Sequence, residues 1–138
     1  MRPKAPKHRR TPRRQIDEGH LRMIRQLPCI LSGRPAEAAH ISYGDRRYDK
    51  PANAMGIKAD DRFCVPLAPE LHRLATGSQH NHGEEEWWRQ FGIDPIEIAL
   101  ALYAVGRNHE AQLRVVGRVV LTPEARERVA EILRGDKR

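Results

Sequence analysis

Residues 28–91 read PCILSGRPAEAAHISYGDRRYDKPANAMGIKADDRFCVPLAPELHRLATGSQHNHGEEEWWRQF. Two short apolar runs stand in this stretch: Ala38-Ala39-His40-Ile41 and Phe63-Cys64-Val65. Each has a strand's length and bounds. The spacing predicts strands over 38–42 and 63–65, joined by a polar loop over 43–58. Loops of that length are uncommon unless they serve a function. The loop holds Arg46, Arg47, Lys50 and Lys58, all candidate phosphate contacts. Pro66-Leu67 leads into an expected helix over 68–75, which Thr76-Gly77 ends. His40, Asp61, His72 and His80 stand out for their chemistry. His72 and His80 are eight residues apart across Gly77, so they share no regular helical face. His80, or its neighbour His82, must fold back from the following turn.

Upstream, Leu21, Ile24 and Leu27 give one apolar face to a helix expected over 16–27. Asp17 and Glu18 sit near its start, where acids suit the helix dipole, and Pro28 stops it. Residues 1–14 carry seven of the 25 basic residues and no acid. The other 18 balance the 18 acidic residues, so the net +7 belongs to this arm. Three prolines there oppose helix and strand. Clustered arginines, Arg9, Arg10, Arg13 and Arg14, suit phosphate forks and mark the arm as a nucleic-acid contact.

Downstream, residues 83–91 read as a helix with three glutamates in its first turn. Trp87, Trp88 and Phe91 are expected in the core. Asp94-Pro95 opens an apolar helix that ends near Gly106. Residues 108–121 fit a helix from Glu110 or a strand over 113–121. Thr122-Pro123-Glu124 opens a final amphipathic helix. With 138 residues the chain has the length of one domain. No run approaches the ~20 apolar residues of a membrane span. The start lacks the apolar segment of a secretory signal. Cys29 and Cys64, the only cysteines, are expected to be reduced core residues in a cytoplasmic protein.

Strand, long loop, strand, helix, with a histidine on the first strand and another on the helix, resembles an HNH endonuclease of the ββα-metal class. The group most similar in pattern is a phage and prophage set like the recombination-enhancement nucleases. The matching pieces are Ala39-His40-Ile41, Lys58-Ala59-Asp60-Asp61-Arg62, Val65-Pro66-Leu67, Glu70-Leu71-His72, Gln79-His80 and Trp87 to Pro95. They cover about half the chain. The resemblance implies an α+β fold, with a ββα-metal finger embedded in a mainly helical small domain. It divides the chain into an arm (1–15), the nuclease-like domain (16–94) and a helical C-terminal extension (95–138).

The resemblance also assigns roles. His40 becomes the general base, since imidazole, with an ordinary pKa near 6.5, can take a proton from water at neutral pH. Asp61 stands where the family has its middle Asn, to orient His40 or to coordinate the cation. His72 and His80 become metal ligands, with Asp60 beside them. Lys58 and Arg62 would clamp the scissile phosphate, with Arg46 and Arg47 as further DNA contacts. One divalent cation is implied, magnesium or manganese first and zinc next. Similar nucleases often carry two Cys-x-x-Cys pairs holding a structural zinc. Here Ser32, Ala68 and Leu71 stand in three of those four places, so no structural zinc is expected. Ala39 also departs from the family, where many members place Asp or His before the base. The implied function is metal-dependent hydrolysis of DNA phosphodiester bonds, in phage DNA processing or recombination. The alternative is a catalytically degenerate HNH-fold DNA-binding protein. DNA is the expected partner, no membrane is involved, and the C-terminal helices offer a homodimer contact.

Overall fold

The computed structural model describes residues 15–53 and 59–135. The fold is α+β, with about 49% helix and a two-stranded antiparallel sheet. Strand β1 (Glu37–His40) pairs with β2 (Cys64–Leu67), Glu37 opposite Leu67 and His40 opposite Cys64. Ala39 and Ile41 turn to the core, as does every residue of β2. β2 starts one residue later than expected and runs on through Pro66. Proline is tolerated there because both strands of a two-stranded sheet are edges. The Pro66 carbonyl accepts a hydrogen bond from the N–H of Ile30, which ties the segment before β1 to the sheet.

Helix α1 (Glu18–Arg25) is shorter than the sequence suggests. Asp17 is its cap rather than its interior, and its carboxylate accepts the N–H of His20. Leu21 and Ile24, with Leu27 just beyond, pack inward. After β2 comes one widened turn, Glu70–Leu74, in place of the regular helix expected over 68–75. The N–H of His72 still reaches the carbonyl of Ala68, but Ala75 bonds back to Glu70, five residues away. Such π turns are rare and recur at functional sites. Leu71 and Ala68 are fully buried.

Helix α2 (Glu84–Arg89) brings Trp87 and Trp88 into the core, with Phe91 just after it. Trp87 meets the rings of Trp88 and Phe91 edge-on, each at 4.9 Å between centroids. Its indole N–H donates to the Gly77 carbonyl at 2.9 Å. Helix α3 (Pro95–Ala104) is capped by Asp94 and buries Ile96, Ala99 and Leu102. Residues 109–117 form helix α4 (His109–Gly117), not a strand. The Asn108 side chain accepts the N–H of Ala111 and starts it. Helix α5 (Pro123–Arg134) is capped by Thr122 and sends Val129 and Ile132 inward.

One cluster of buried apolar side chains runs from α1 through the sheet to α5. Fully burying a side chain such as Ile24, Leu71 or Leu102 contributes about 1.5–3 kcal/mol. Cys29 and Cys64 are both buried and unbridged. Among the described residues no helix is long and apolar enough to cross a membrane.

Candidate functional site

β1 presents His40 at its C-terminal end. Its Nε2 lies 2.8 Å from Oδ1 of Asp61, which has no exposed surface, while the His40 side chain keeps 15% exposure. The second carboxylate oxygen of Asp61 accepts the N–H of Asp17 at 2.8 Å. The Asp61 N–H in turn donates to the Gln15 carbonyl. Asp61 is therefore fixed by both its backbone and its side chain. A carboxylate only accepts, so Nε2 of His40 donates and the neutral ring carries its basic lone pair on Nδ1. That is the arrangement of a base held in one tautomer by an acid behind it.

Glu37, at the other end of β1, binds the second pair. Its Oε1 accepts from Nδ1 of His72 at 2.6 Å and from Nε of Arg73 at 2.9 Å. The His80 ring meets the His72 ring nearly at right angles, 4.4 Å between centroids. Of the two candidates it is therefore His80 that folds back. His82 instead lines an open cleft with Trp87, Gln90 and Arg128. Burial keeps His72 below the ordinary histidine range; Glu37 pulls the other way, and His80 reinforces the burial. Burial works against the Glu37 carboxylate as well, but His72 and Arg73 outweigh it and hold it below the usual range.

Glu37 and His40 are three residues apart, about 10 Å along an extended strand. The two pairs thus hang from opposite ends of one short element. Asp60 joins neither pair. Its carboxylate accepts the N–H of Gln15 at 2.6 Å and lies 3.4 Å from Arg62. Among the described residues no group of three or more His, Cys, Asp or Glu is arranged to hold a metal ion.

The expected phosphate contacts differ in fate. Arg46 is exposed. Arg47 is exposed too, but its guanidinium is shared between Asp45 and Asp94. Arg62 lies over the Phe63 ring, 4.8 Å from its centroid, as well as beside Asp60. Lys50 corrects the sequence reading: it is buried, donating to the Tyr43 carbonyl at 2.7 Å and lying over the Phe63 ring. Burial lowers its pKa, and its role is to close the loop from inside. Arg9, Arg10, Arg13, Arg14 and Lys58 lie outside the described residues.

Three participants escaped the sequence reading. Glu37 stands just outside the strand expected over 38–42. Asp17 read as an acid in the first turn of a helix expected over 16–27 and nothing more. Glu84 read as one of three first-turn acids, yet its half-buried carboxylate accepts the N–H of Ser42 at 2.8 Å and holds the chain where it leaves β1. Burial pushes that carboxyl up, against the pull of the Ser42 amide and Lys50. No family model, curated protein or solved structure matches this chain.

Proposed function

We propose that this chain is a metal-dependent endonuclease of the HNH type, hydrolysing phosphodiester bonds in DNA. The observation that carries the reading is the hydrogen bond between His40 and the buried Asp61. His40 takes the proton from the attacking water, and Asp61 fixes its tautomer and stabilises the imidazolium that forms. The β1–loop–β2–π-turn order serves as the ββα finger in this reading.

His72 and His80 are the residues to hold the cation. The bond from Glu37 to Nδ1 of His72 is the orienting contact that ligating histidines commonly make, and it leaves Nε2 as the donor. Two imidazoles suit manganese or zinc at least as well as magnesium. A bound cation supplies charge neutralisation at the phosphate and help for the leaving oxygen. The engagement of Asp60 by Gln15 and Arg62 favours a second reading, a finger that binds DNA without cutting it.

Plasmid nicking separates the two. Purified protein should nick supercoiled DNA with Mg²⁺ or Mn²⁺, EDTA should stop it, and His40→Ala should abolish it. Wild-type protein that binds DNA but stays inert across divalent cations supports the second reading and removes the first.

A further inference from the structure

Between helix α3 and the end of α4 lies a groove of about 360 Å³. Its apolar lining comes from Ile93, Ile98, Ala101, Val115 and Val119, each partly buried. Val120 also lines it, yet keeps 77% of its surface in solvent, more than any other large apolar side chain among the described residues. A lone exposed valine is ordinary. This one adjoins a recess lined by side chains of its own kind, so one face carries both an apolar projection and an apolar hollow.

Charge is arranged in the same way. Glu97 and Arg118 both line the groove and both are exposed. Neither has an ion-pair partner among the described residues, each other included. Asp94, the remaining charged group of the lining, is already taken by Arg47 and by the first amides of α3. An acidic partner would answer Arg118 and repel Glu97, and a basic one would do the opposite. A second copy of this chain, turned by a two-fold axis, answers both, because the same patch then meets itself. From this we infer that the α3–α4 groove is the interface of a homodimer. Val120 of each copy enters the recess of the other, and Glu97 faces the partner's Arg118. Apolar burial supplies the affinity, and the paired charges fix the register. The dimer and the proposed nuclease activity are independent; neither requires the other.

Sedimentation equilibrium of the full-length protein tests this, over a concentration series at low salt and without nucleic acid. Wild-type protein should pass from monomer to dimer, and Val120→Glu should leave it monomeric. Glu97→Arg and Arg118→Glu should each weaken dimerisation about tenfold or more, because each sets like charges together at both ends of the interface. Mixing those two variants should restore the dimer, since each offers the charge that the other needs. Leu74→Glu, at another exposed apolar site outside the groove, should dimerise as wild type does. A wild-type chain that stays monomeric throughout the series leaves the groove to another occupant and overturns the inference. So does a dimer that survives Val120→Glu, a Leu74→Glu variant that loses it, or a mixture no heavier than its parts.

Discussion

Oδ1 of Asp61 lies 2.8 Å from Nε2 of His40, and its other oxygen is filled by a backbone amide of the N-terminal segment. The acid is completely buried and the imidazole is partly open. Such a pair separates roles: the histidine meets solvent and the aspartate does not. His40→Ala should therefore cost about 10²–10⁴-fold in nicking rate, the usual worth of a general base. Asp61→Asn should cost less in rate but also destabilise the fold, because it disturbs hydrogen bonds to a charged group worth about 1.5–3 kcal/mol. Nicking kinetics and urea unfolding of both variants measure the two effects. Equal rates for wild type and His40→Ala would remove His40 from the chemistry.

Glu37→Ala should act on the other pair. Losing the partner that orients His72 should weaken Mn²⁺ affinity about 10–100-fold, read by calorimetry. It should also change the acid limb of stability. The folded-state pKa of Glu37 is depressed, so its contribution is present above the ordinary carboxylate range. That contribution is lost as pH falls through the lowered value. The variant should show a shallower loss of stability on acidification than wild type.

His20 supplies a second pH effect. It is 3% exposed, meets Tyr103 edge-on, and its Nε2 has no hydrogen-bond partner among the described residues. Burial holds its pKa below the ordinary value, with Asp17 and Asp61 pulling partly back. Above the ordinary histidine range both folded and unfolded chains leave it neutral, so it costs nothing. As pH falls through that range the unfolded chain takes up a proton that the folded chain resists, and stability drops. His20→Phe should flatten this limb between neutral and mildly acidic pH in thermal melts. An unchanged limb would mean that another group carries it.

Gly44 sits where the loop doubles back. A Cβ there would stand 2.7 Å from the Ala52 amide nitrogen and 3.1 Å from the Lys50 carbonyl, both backbone atoms. Gly44→Ala should cost about 1–3 kcal/mol by overpacking, visible in urea titrations. Gly83→Ala, with open space around it, is the control and should move stability little.

Much of this architecture was legible because local signals were strong. Asp94 and Thr122 announce helix starts, and each accepts an amide of the first turn. The aromatic run at Trp87, Trp88 and Phe91 reads as core and is core. The resemblance singled out His40, Asp61, His72 and His80, and the fold sets Asp61 against His40 and the His80 ring against the His72 ring. What stayed hidden was settled by tertiary contact. Nothing local distinguishes Lys50 from Arg46; only the fold of the loop puts one inside and leaves the other in solvent. The sequence from 108 to 121 suits helix and strand alike, and the Asn108 cap decides it. The ambiguity between His80 and His82 needed the backbone between them. Glu37 pairs with residues 35 and 36 positions away, which no periodicity reveals.

The tryptophan at position 87 is tied to Gly77, in the short connection between the turn bearing His72 and the turn bearing His80. It and its neighbour at 88 are the chain's only indoles, and both are shielded from water. The protein thus carries its own optical gauge. Loosening of the layer that presents the imidazole pair should shift the intrinsic emission to longer wavelength, with no label attached.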